Sequence, residues 1–184
     1  MAIRAFDAHS LDVEAFATEG ASLSGEWPLE SLARVMESAA SDSPPDASGP
    51  VAWTAAGERR DQRGSEQPLI WLHVSADATV ALQCQRCLAP VAVPLEVRHT
   101  FRFVHGGEDA AAQIDASSDE DVLAMTRALD LRELIEDELL LAMPLVPLHP
   151  VCPEPLKVPE ADVPAERENP FAALATLKRT GPAN

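Results

Sequence analysis

Between residues 69 and 104 the chain is a series of apolar runs joined by connections too short for crossovers, and this limits the fold more than any other feature. Leu69-Ile70-Trp71-Leu72-His73-Val74 has the dense apolar character of a buried strand. Ser75-Ala76-Asp77-Ala78 then predicts a turn, and Thr79-Val80-Ala81-Leu82-Gln83-Cys84 a return strand. Further on, Val93, Leu95 and Val97 share one face of an extended run, as do Phe101 and Phe103. Pro94 marks an edge or a bulge, because it has no amide proton to give to a ladder. Parallel neighbours need long connections, so these runs predict an antiparallel sheet, with barrel-like closure as one way of completing it. Val51 to Thr54 adds a short strand.

The strongest helix signal covers residues 131–143. Asp130 can cap it, with Glu133 three residues on. Leu131, Leu134, Ile135, Leu139 and Ala142 fall on one face, while Glu133, Glu136 and Asp137 fall on the opposite, solvated one. Leu140, Leu141 and Met143 predict fuller burial of the last turn, which Pro144 ends. A second helix is predicted within residues 28–40, where Leu29, Leu32, Ala33 and Met36 recur at helical spacing. Residues 41–50 and the acidic stretch 108–121 read as loops. The expected architecture is therefore α+β, in a single domain over residues 1–150. Residues 151–184 form a proline-rich tail with a short helix at about 170–180, capped by Asn169 and carrying Phe171, Leu174 and Leu177.

Thirty acidic residues against fourteen Lys and Arg give a net charge of −16. Nucleic-acid affinity depends on Lys and Arg displacing counterions, so non-specific RNA binding is disfavoured and a basic protein is the easier partner. The residues after Met1 do not form a signal-like apolar run, and no stretch reaches the roughly 20 apolar residues that span a bilayer. Three cysteines do not suggest a secreted disulfide framework, so the cytoplasm is the expected compartment.

Cys84-Gln85-Arg86-Cys87 is a C-x2-C pair, a spacing at which two thiolates can grip one metal ion from a tight turn. His149 and Cys152 would complete a Cys3His set for zinc if the fold brought them close, but about sixty residues intervene and the turn has no glycine. The local pattern favours two small side chains packed at a hairpin end. A thioredoxin-like reading is weaker, because such a pair sits at a helix N-terminus and this one lies between strand-like runs. No His-Glu-x-x-His, Gly-x-Ser-x-Gly or phosphate-binding glycine loop is present. The acidic residues of the 131–143 helix lack the Glu-x-x-His of carboxylate-bridged di-metal proteins. No catalytic residue, small-molecule substrate or cofactor other than such a zinc ion is expected.

Three separated pieces resemble the YceD family, also described as domain of unknown function 177. They are Leu82-Gln83-Cys84-Gln85-Arg86-Cys87, the run from Leu129-Asp130-Leu131 to Met143-Pro144-Leu145-Val146-Pro147, and Asn169-Pro170-Phe171 to Leu177-Lys178. Any one is weak, whereas the ordered set is specific. The resemblance implies a non-enzymatic role in ribosome biogenesis, through accumulation of large-subunit ribosomal RNA. It also implies a partner such as a large-subunit ribosomal protein or a precursor subunit. An acidic surface including Glu133, Glu136 and Asp137 would hold a basic protein. Arg86, Arg98 and Arg102 flank the sheet region and would supply a local patch if RNA were contacted instead. A metal-binding or thiol enzyme acting on ribosomal components is the third reading.

Overall fold

The structure is a computed structural model that describes residues 5–44, 48–62 and 67–153. Met1–Cys152 form one compact unit and Pro153–Asn184 a second. The expected helix at 170–180 lies outside the described residues.

The core element is a hairpin of two fifteen-residue strands, β3 (Leu69–Gln83) and β4 (Pro90–Val104). They pair antiparallel without interruption from Ile70↔Phe103 to Gln83↔Pro90. The predicted turn at residues 75–78 is therefore absent. Ser75 and Asp77 are outward-facing residues of one continuous strand, with their side chains bonded to Thr54 and Arg98. Ile70, Leu72, Val74, Ala76, Ala78, Val80 and Leu82 point to the buried face, so period-two alternation persists through the polar positions.

Strand β2 (Val51–Arg60) pairs with β3, and β1 (Ser22–Trp27) pairs with β2, both antiparallel. On the other side, β5 (Asp121–Ala124) runs parallel to β4. A parallel neighbour requires a crossover, and α3 (Gly107–Asp115) lies within it. The stretch read as an acidic loop thus contains a helix and leads into a strand. The five strands lie in the order β1-β2-β3-β4-β5, an open sheet with no barrel closure. Pro94 faces Thr79 of β3, in the part of β4 that β5 does not reach, so its missing amide interrupts no ladder on that edge. Beyond Asp77, where β2 no longer pairs, the free side of β3 is met by Gly49 N–H to Thr79 O and Ala40 N–H to Ala81 O.

Helices α1 (Val13–Thr18) and α4 (Leu131–Ala142) cover the buried face. Asp12 caps α1 by accepting from Ala15 N–H, and Val13, Phe16 and Ala17 face the sheet. The second predicted helix is split into a 3-10 turn (Leu29–Ser31) and α2 (Ala33–Ser38). Its buried side chains are Leu29, Leu32 and Val35, while Ala33 and Met36 face outward. In α4, Asp130 accepts from the amides of Arg132 and Glu133, as the sequence predicts. Leu131, Ile135 and Leu139 are fully buried, each contributing about 1.5–3 kcal/mol by area. The last turn departs from expectation in part: Leu140 and Met143 pack half-buried against the core, but Leu141 is 79% exposed, and Ala142 is exposed too.

Helix α1 rests on the backbone of β2 at Gly57. A Cβ there would lie 2.7 Å from Ala17 Cα and 2.8 Å from Phe16 Cδ1. We predict that Gly57→Ala forces α1 off the sheet and lowers the unfolding free energy by about 1–3 kcal/mol in denaturant titrations. A midpoint and slope identical to wild type would refute the close approach.

Candidate functional site

Three clusters of polar side chains lie on this scaffold. The first joins α4 to α2. Glu136 is only 7% exposed and is the one charged residue in the buried set among the described residues. Its Oε1 accepts from Arg34 N–H (2.7 Å) and Val35 N–H (3.2 Å). Leu32, at the N-cap of α2, offers no capping side chain, so a carboxylate 102 residues from Arg34 fills that role. Oε2 accepts from the Arg34 guanidinium at 3.2 Å, and Asp137 pairs with the same group. Asp137 first, then Glu136, holds the Arg34 guanidinium above its usual pKa. The Glu133 side chain stays exposed, and its carbonyl accepts weakly from Arg34. Glu136 is thus not part of a solvated face. It lies one position from Ile135, inside the buried sector, because α2 packs across α4 there.

The second cluster surrounds His99, which the sequence did not single out. Its ring stacks on Phe101 at 4.4 Å between centroids, donates from Nδ1 to the Glu138 carboxylate at 2.7 Å, and also meets the Asp121 carboxylate through Nε2. One imidazole therefore ties β4, β5 and α4 together. Burial opposes its charge, but the two carboxylates outweigh burial and raise its pKa above the usual 6.5.

The third cluster lies at the tip of the β3–β4 hairpin. After Gln83, residues 85–87 turn sharply, with Leu88 N–H donating to Cys84 O (2.9 Å) and Cys84 N–H to Ala89 O (3.0 Å). Leu88 has φ +63°, the left-handed conformation that glycine would adopt more readily. The knuckle therefore forms without the glycine whose absence argued against it, at a strain of about 1–2 kcal/mol. Beyond α4, the chain passes through Pro144 and Pro147 as an irregular strap with bends at Leu145 and Val146. Gln85 N–H donates to Pro147 O at 2.9 Å, drawing the strap onto the knuckle.

That contact brings His149 and Cys152 to Cys84 and Cys87. One donor atom from each of the four lies within 4.8 Å of the other three, the one such Cys/His-containing group among the described residues. Cys84 Sγ is 4.0 Å from Cys152 Sγ, and Cys87 Sγ is 3.3 Å from His149 Nδ1. Cys84 is fully buried and the other three partly so. Burial disfavours the Cys84 thiolate, but the backbone amides of Cys87, His149 and Arg86 aimed at its sulfur prevail and bring its pKa to about 5. Burial instead pushes the Cys87 thiol up, with Cys152 and Cys84 adding to the rise. Arg86 donates from Nε to Cys152 Sγ (3.0 Å) and from Nη2 to His149 O (2.8 Å). Two strands and one helix thus assemble what spacing alone read as simple packing.

The other arginines do not join Arg86. Arg98 lies on the outward sheet face, bidentate to Asp77 at 3.0 Å, and Arg102 pairs with Glu120 at 3.1 Å. A groove of about 460 Å³ beside α2 has Glu30 as its one ionisable lining residue among the described residues. No helix among the described residues is long and apolar enough to cross a membrane.

Fold and site together define an α+β protein whose hairpin tip is clasped by a Cys/His strap. The profile described as "Large ribosomal RNA subunit accumulation protein YceD" matches residues 72–178, from within β3 through the knuckle, α4 and the strap. A Haemophilus influenzae protein of that name is 32% identical, over 61% of this chain and 68% of the relative. The chain belongs to the YceD family. No solved structure matches it.

Two measurements follow from the first two clusters. Glu136→Ala uncaps α2 and lowers the unfolding free energy by about 1–2 kcal/mol, while Glu136→Gln, which keeps one acceptor oxygen, loses less. Equal losses in Asp137→Ala and Glu136→Ala would show a mere surface pair. For His99 the folded pKa is raised, so its contribution is present below the unfolded value and fades as pH rises through the folded one. Melting temperature followed from about pH 6 to 9 falls more in wild type than in His99→Gln. The difference stays under ~1 kcal/mol because water screens these pairs; parallel curves would remove His99 as the cause.

Proposed function

We propose that the protein is a non-enzymatic factor supporting accumulation of large-subunit ribosomal RNA, acting by holding a basic ribosomal protein or a precursor subunit. The printed name of the family and of the relative supports the process. The observation that carries the mode of action is where apolar side chains meet solvent. Apart from Met36, the exposed large hydrophobics among the described residues are Leu88, Leu141, Leu145, Val146, Leu148 and Val151. All six belong to the knuckle and to the α4 end and strap, and Leu145 is completely exposed. Clustered exposed apolar side chains of this kind mark an interaction site.

Charge selects the occupant. With thirty acidic residues against fourteen basic, the chain attracts a basic protein and steers its approach. The apolar surface then provides the contact that persists after encounter. The RNA-contacting reading is weaker, because Arg98 and Arg102 are each engaged by a carboxylate and Arg86 by Cys152 and the His149 carbonyl. Glu136 is committed to α2 and Asp137 pairs with Arg34, which leaves Glu133 as the accessible acid of that group.

Purified basic large-subunit proteins and precursor particles are expected to bind the full chain at low salt and to weaken as salt rises. Leu145→Asp/Val146→Asp lowers that affinity by at least ~10-fold, equivalent to about 1.4 kcal/mol, without unfolding the protein. Leu88→Gly gives a smaller loss while relieving its backbone strain. Failure to retain either partner at low salt would sink the proposal. So would RNA binding that is lost in Arg98→Glu/Arg102→Glu.

A further inference from the structure

We propose that Cys84, Cys87, His149 and Cys152 bind a structural zinc ion that clasps the strap after α4 to the tip of the β3–β4 hairpin. The donor set is three thiolates and one imidazole, a combination that selects zinc and leaves no open position for substrate. Sulfurs about 2.3 Å from a tetrahedral zinc lie roughly 3.8 Å from one another, and a sulfur and an imidazole nitrogen slightly closer. The Cys84–Cys152 separation of 4.0 Å and the Cys87–His149 separation of 3.3 Å bracket these values. A disulfide would need the sulfurs at about 2.05 Å, and all three cysteines are free.

The surroundings meet the other needs of such a site. Backbone amides already point at the Cys84 sulfur, His149 N–H among them at 3.5 Å. Three thiolates around a divalent ion carry a net charge of −1, which is costly in a partly buried place unless offset. The Arg86 guanidinium offsets it through its bond to Cys152 Sγ and fixes the strap through the His149 carbonyl. Arg86 is therefore a positioning residue of the metal site, set between the two ligands of its own knuckle. Both ligand pairs have the x2 spacing, one on the hairpin tip and one on the strap, so each element alone supplies half a site. Holding the halves together fixes the exposed apolar strap without requiring any partner.

The test uses the full-length, reduced chain and metal alone. It is expected to retain about one zinc per chain and to compete with a chromophoric chelator. Co(II) in its place gives thiolate-to-metal charge-transfer bands and intense tetrahedral d–d bands. Cys152→Ser and His149→Ala, both on the strap and outside the buried core, reduce zinc affinity by at least ~100-fold, and Arg86→Gln by ~10–100-fold. Removing zinc from the wild type leaves the far-UV spectrum of the sheet in place and speeds amide exchange at Gln85. Cys84→Ser is not needed, because loss of a buried side chain could unfold the tip regardless. The proposal is overturned if the wild type fails to compete for zinc, or if its Co(II) form lacks the thiolate and tetrahedral bands. Unchanged affinity in Cys152→Ser, or a Cys84–Cys152 disulfide in the freshly isolated chain, overturns it equally.

Discussion

The unbroken pairing of β3 with β4 is the constraint on which the rest of the structure depends. Fourteen consecutive partners, from Ile70↔Phe103 to Gln83↔Pro90, set two long strands in fixed register. With a side-chain period of two, a slip of β4 by one residue against β3 would turn Val97 and Phe101 to solvent. The register therefore fixes the apolar face on which α1 and α4 pack. It also fixes the hairpin tip, where the knuckle must form.

Helix α4 then acts as the second measure of distance. It is anchored at its start by Asp130 and by Leu131 N–H to Ala8 O, and its buried row of Leu131, Ile135 and Leu139 lies on the sheet. Twelve residues of helix advance the chain about 18 Å. Pro144 then ends the helix, and Gln85 N–H takes up the Pro147 carbonyl on the strap that follows. Leu140 and Leu141 stay in the last turn of α4, and the residues after Met143 become the exposed strap. Its hydrophobic side chains and its His149-Cys152 pair are consequences of one path. The exposed apolar side chains and the Cys/His cluster are therefore coupled in position, although they differ in chemistry.

Some of this was legible in the residues. Asp130 as cap and Leu131, Ile135 and Leu139 as the buried stripe follow from interactions within one turn of each other, which local sequence records well. The β3 turn at 75–78 was misread because Ser75 and Asp77 are typical turn residues, yet both are outward positions of a pleated strand with side-chain partners on neighbouring strands. The alternation from Ile70 to Leu82 was the signal that outweighed them. Helix α3 was hidden by acidity, although Ala110, Ala111 and Ala112 favour a helix and Glu108 and Asp109 suit its first turn. Strands β1 and β5 are too short to show a period of their own.

By itself, the sequence determined the α+β class, the β-rich centre, the capped α4 helix and the ordered motifs that mark the family, because each is written in neighbouring residues. Tertiary structure alone decided that Glu136 caps another helix, that His99 joins two strands to α4, and that Cys84 and Cys87 meet His149 and Cys152. Those groups are tens of residues apart in the chain. The physical reason is that separation along a chain does not specify distance in space; strand register and helix length do, and they exist only once the sheet has formed.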